Sequence, residues 1–272
     1  MLPYRASMLG FSTKLPICDE DRQWADEGFR RLEKLLGRRR MLEAKVVLPT
    51  AEDFPDPYDK TAVTAERLFH RVCAYMQVGN ARVQLEVFAD ETEELREILP
   101  YWHGDEGQRA AGIYLDHGKD AVFPDEEKPM VVAIRSTQLK DPLSLVGTMA
   151  HELGHVILLG GRLLDPVATS DHEPMTDLLT VFLGLGIFTA NSAARFKQYQ
   201  DERRQGWSMK RLGYLPEQLY GYALAKFAME RGEGKPVWAK HLCTNVRSYF
   251  KQSQRWLQKN SPLIQRAATG QS

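Results

Sequence analysis

The stretch Asp141-Pro142-Leu143-Ser144-Leu145-Val146-Gly147-Thr148-Met149-Ala150-His151-Glu152-Leu153-Gly154-His155-Val156-Ile157 decides how the chain is read. Asp141 is a natural N-cap, Pro142 suits the first helical position, and Gly160-Gly161 ends the apolar run, so the spacing predicts one helix over residues 142–159. Inside it lies H-E-x-x-H. Residues four apart on a helix differ by about 40° in direction and ~6 Å in height. His151 and His155 therefore share a face, where their nitrogens can converge on an ion about 2.0–2.1 Å from each. Glu152 sits beside the first histidine, placed to reach a metal-bound water and to act as general base.

Two histidines leave a zinc ion short of a third protein ligand, so the next segment should supply one. It reads Asp171-His172-Glu173-Pro174-Met175-Thr176-Asp177. Here the chain resembles the zincin metallopeptidases of the gluzincin type, in which H-E-x-x-H is followed by E-x-x-x-D on a second helix. The resemblance implies a Zn2+ cofactor, Glu173 as third ligand, and Asp177 as partner of the far nitrogen of a zinc-bound histidine, His151 before His155. His172 is the competing donor, since Pro174 biases position 173 away from helical dihedrals. The metzincin pattern is excluded because Gly161 stands where its third histidine would be. A weaker likeness, to small bacterial zincins that cleave transcriptional repressors, rests on the short H-E-L-G-H helix. Tyr214, Tyr220 and Tyr222 fall where a zincin brings a phenol to the oxyanion. Tyr222 is the catalytic candidate, set against a packing role.

Outward from the motif, residues 21–41 carry Trp24, Phe29, Leu32 and Leu35 near one face and predict a helix stopped by Gly37, with Arg38, Arg39 and Arg40 capping it and facing solvent. Residues 45–49 read as a strand and 61–77 as a helix with Ala65, Leu68, Phe69, Val72 and Met76 inward and His70 outward. Strands are expected at 82–88, 111–116 and 130–135, and the zincin resemblance implies that the second is an edge strand that aligns an extended peptide. Beyond 141 only helices are expected, at 174–189, 193–203, 216–231 and 236–257. The fold class expected is α+β: a zincin-like mixed α/β lobe over 1–140, then a helical lobe over 141–272 carrying the zinc site, with the cleft between them.

The chain has 272 residues, enough to bury a core without staples. Its 36 basic and 36 acidic residues cancel, which argues against nucleic-acid and membrane partners, while the zincin resemblance implies a peptide or protein substrate. Basic clusters such as 38–40 and Arg247, Lys251 and Arg255 read as solvated faces. The three cysteines form no C-x-x-C pair and read as reduced thiols. The apolar run 178–188 is short of the ~20 residues that span a bilayer, and no leader pattern is present, so a cytoplasmic location is expected. The function expected is zinc-dependent peptide hydrolysis. The competing reading is a zinc-binding regulatory or binding protein without turnover.

Overall fold

The structure, a computed structural model, describes residues 14–88, 112–115, 129–165, 171–200 and 215–260. Helix α1 (Asp19–Leu36) opens with three acidic residues at its positive end and buries Ala25, Phe29 and Leu32. It stops where Gly37 takes φ +86°, and Arg38 to Glu43 form a second short helix, α2. The arginines do more than face water. Arg38 pairs with Glu33 and Glu230, and Arg40 donates to the carbonyl of Met76.

Helix α3 (Ala62–Met76) starts at a reciprocal cap: the Thr61 hydroxyl accepts from the Thr64 amide, and the Thr64 hydroxyl accepts from the Thr61 amide. It buries Ala65, Phe69, Val72 and Met76 and leaves His70 exposed. The strand expected at 45–49 is absent. The Val47 amide donates to Gly184 and the Leu48 amide to the Asp53 carboxylate, so the segment is held by single bonds to different elements and joins no ladder.

The sheet consists of β1 (Val83–Phe88), β2 (Gly112–Leu115) and β3 (Met130–Arg135) in the order β1-β3-β2. β1 runs parallel to β3 and β2 antiparallel to it. The inner four residues of β3 are buried, as a central strand requires. Among the described residues β2 pairs on one side only, and it abuts the helix that carries the histidines. Residues 111 and 116, the ends of the expected strand, lie outside the described residues.

Helix α4 (Pro142–His155) begins as its sequence requires, with the Asp141 carboxylate accepting from the amides of Leu143 and Ser144. Every residue from Leu145 to His155 is buried, and the chain continues through a π-helical turn, Val156–Gly160. By length and composition Pro142–Gly160 could cross a membrane, but 78% of that window is buried inside the protein, where it forms the central helix of the core.

The apolar run after Glu173 is not one helix. α5 (His172–Phe182) ends at a turn in which Gly184 has φ +85°, and α6 (Gly186–Gln200) follows. A Cβ on Gly184 would stand 2.1 Å from the carbonyl oxygen of Lys45, so this turn needs glycine for both its dihedral and its clearance. Helices α7 (Glu217–Glu230) and α8 (Thr244–Asn260) close the bundle, joined through a 3-10 turn at Val237–His241.

The α+β expectation is therefore corrected. The described chain is mostly helical, its strands are three and short, and only one pair is parallel. Residues 14–88 place their apolar side chains mainly on α1 and α3, and these pack onto the later helices instead of covering a large sheet. α1 lies against α5 and α7, with the rings of Phe29 and Phe182 6.4 Å apart, while α3 lies against α4.

Candidate metal centre

Helix α4 presents His151 and His155 one turn apart, their rings 4.8 Å between centroids and nearly perpendicular at 84°. Glu173, in the first turn of α5, completes the group. Its Oε2 lies 3.0 Å from His151 Nε2, its Oε1 3.4 Å from His155 Nε2, and the two Nε2 atoms are 3.2 Å apart. Donors bound tetrahedrally to zinc at ~2.0–2.1 Å lie about 3.3 Å from one another, and with one ligand atom from each residue the three donors lie within 4.8 Å of one another, close to that spacing. The three side chains could hold a metal ion.

The chemistry of the donors agrees with the distances. His151 Nδ1 lies 2.8 Å from Asp177 Oδ1, and the other Asp177 oxygen accepts from the Leu215 amide at 2.8 Å. A carboxylate only accepts, so Nδ1 carries the proton and His151 Nε2 turns its lone pair toward Glu173. A lone pair and a carboxylate facing each other at 3.0 Å call for a cation between them. Burial lowers the His151 pKa, but Asp177 and Glu173 together raise it well above the usual histidine value. Burial raises the Glu173 pKa, yet the two imidazoles hold it well below the usual carboxylate range.

Glu152 is 6% exposed and outside the converging group. Burial raises its pKa although His151 and His155 pull it down, which makes it a stronger base than a solvated glutamate. His151, His155 and Asp177 are equally buried, whereas the Glu173 and His172 side chains are 33% and 31% exposed. The group thus meets solvent on the side of the first turn of α5. His172 Nδ1 stands 3.5 Å from Glu173 Oε1, beside the converging atoms but not among them.

His151, Glu152, His155, Glu173 and Asp177 are brought together. Tyr222 is engaged elsewhere. It is 1% exposed, and its hydroxyl donates to Asp26 Oδ1 at 2.8 Å, where Lys226 and Arg22 also bind the carboxylate. Burial, with Asp26 alongside, raises its pKa far above the ordinary phenol value. The expectation that it serves the oxyanion finds no support in that placement. Tyr214 lies outside the described residues.

Three contacts had no part in the sequence reading. Thr176 Oγ1 lies 3.3 Å from His155 Nδ1, the Leu215 amide holds Asp177, and the Trp24 indole donates to Asp171 at 2.7 Å, tying the start of α5 to α1. Thr176 was within reach, because it follows Glu173 by three residues as Asp177 does by four, and both spacings share a helix face. The other two join residues far apart in the chain and carry no local signal. Compared with protein-family models, curated proteins and solved structures, the chain gives no match.

Proposed function

We propose that the chain is a zinc-dependent hydrolase, a metallopeptidase that cleaves peptide bonds with Glu152 as general base. The observation that carries this reading is the convergence of His151 Nε2, His155 Nε2 and Glu173 beside a buried glutamate that is not one of the three. Three protein donors leave a fourth position for water or substrate, the arrangement of a catalytic zinc site. The gluzincin resemblance supports it through its two motifs, H-E-x-x-H and E-x-x-x-D, and not through the sheet.

Zinc, when bound, supplies a Lewis acid and brings the pKa of water down toward ~7. His151, His155 and Glu173 hold the ion, and Asp177 fixes the His151 tautomer. Glu152 removes a proton from the attacking water and returns it to the leaving amine, and its raised pKa suits both transfers. β2, paired on one side among the described residues and packed beside α4, offers backbone groups along which an extended peptide would align.

The test is a screen of wild type and Glu152→Gln, at matched zinc content, against a diverse peptide library. Cleavage by wild type, reduced by ~10²–10⁴ in the variant with fold and metal retained, is the expected result. Equal cleavage by both would refute the role of Glu152. No cleavage by either would favour a metal-binding regulatory protein.

A further inference from the structure

We propose that Thr176 is a positioning residue for His155, and that Gly154 is a glycine so that Thr176 can reach it. The proposal rests on the metal reading above.

Thr176 is fully buried on α5, on the face that carries Glu173 and Asp177. A threonine hydroxyl has one proton to give. Here it goes to the carbonyl of His172, one turn back, at 2.8 Å. Toward His155 Nδ1, 3.3 Å away, the same oxygen can therefore only accept, so Nδ1 carries the proton. His155 Nε2 is then the atom that presents its lone pair to the other two donors. Consecutive residues on one helix thus fix the tautomers of both imidazoles, Thr176 for His155 and Asp177 for His151.

The two acceptors differ in charge, and the difference has a reason. A dication with the carboxylates of Glu173 and Asp177 is already neutral, so a second carboxylate behind His155 would bury an excess negative charge next to Glu152. A hydroxyl orients the ring without adding one.

The helices must approach closely for this contact. A Cβ on Gly154 would lie 2.6 Å from Thr176 Cγ2, so the threonine methyl occupies the space that any other residue at position 154 would fill. Within H-E-L-G-H the glycine therefore acts through the neighbouring helix.

Thr176→Val and Thr176→Ser separate the hydroxyl from the methyl. Valine keeps the shape and loses the acceptor, whereas serine keeps the acceptor and loses the methyl. Zinc affinity of the full chain, measured by chelator competition, should fall about 10- to 100-fold in Thr176→Val and stay close to wild type in Thr176→Ser. The ligand-field spectrum of the cobalt-substituted protein should change in the valine variant alone. Gly154→Ala should also weaken binding, and adding Thr176→Ser to it should restore binding, because serine lacks the Cγ2 atom that the new methyl strikes.

Wild-type affinity in Thr176→Val, or an equal loss in valine and serine variants, would overturn the proposal. If the valine variant does not fold, the Gly154→Ala pair decides: no recovery on adding serine overturns it. Wild type that binds no zinc would instead defeat the metal reading, and this proposal with it.

Discussion

Two polar clusters join helices in this protein, and they are built on different charge logic. Around Asp26, between α1 and α7, one carboxylate receives the Tyr222 hydroxyl, the Lys226 ammonium and the Arg22 guanidinium. Two cations and a hydroxyl there face one acceptor, and Arg22 and Lys226 also reach Asp19 and Glu230. Around His151, between α4 and α5, carboxylates from Glu173 and Asp177 meet two imidazoles whose outer nitrogens are taken by Asp177 and Thr176. Here acceptors converge on one point, and Asp177 and Glu173 raise the His151 pKa well above the usual histidine value. A cluster that supplies its own cations fastens helices together. One whose acceptors converge could hold a metal ion.

This contrast can be broken by substitution, and the largest effect should come from Glu173→Ala, which removes one of three donors and should abolish zinc binding. Metal content after purification checks it. If His172→Ala strips the metal and Glu173→Ala does not, the third ligand is wrongly assigned. Asp177→Ala should weaken zinc binding by roughly ten- to a hundredfold, because the ligand stays while its tautomer and orientation are no longer held. The smallest effect belongs to the other cluster. Tyr222→Phe should leave zinc affinity unchanged and lower unfolding stability by about 0.5–1.5 kcal/mol, since Asp26 retains Lys226 and Arg22. Denaturant unfolding beside zinc titration tests both halves of that statement. A loss of zinc binding in Tyr222→Phe would contradict the separation of the clusters.

What the sequence made legible follows the range of the forces involved. The start of α4 was readable because Asp141 caps its own helix within three residues, and α3 was readable from the apolar repeat along one of its faces. His151, His155, Glu173 and Asp177 were readable because each pair shares a helix face. The break at Gly184 was hidden inside an apolar run, since its cause is the Lys45 carbonyl far away in the chain. Residues 45–49 misled in a similar way, because an apolar run there reads as a strand although the Val47 and Leu48 amides bond to a turn and a side chain. Tyr222 fell in the expected segment, but its partner lies 196 residues away on α1. The α+β reading failed for a related reason. Helical period is visible within one segment, whereas the size of a sheet depends on pairings no single segment displays.

The central claim is that three donors, inwardly directed, await one cation, and a zinc titration of the metal-stripped full chain followed by calorimetry tests it most directly. The expected result is one tightly bound zinc per chain, protons released on binding because the raised His151 pKa favours the doubly protonated ring, and no such site in Glu173→Ala. A folded wild-type protein that takes up no zinc, or that binds it equally well without Glu173, would contradict it.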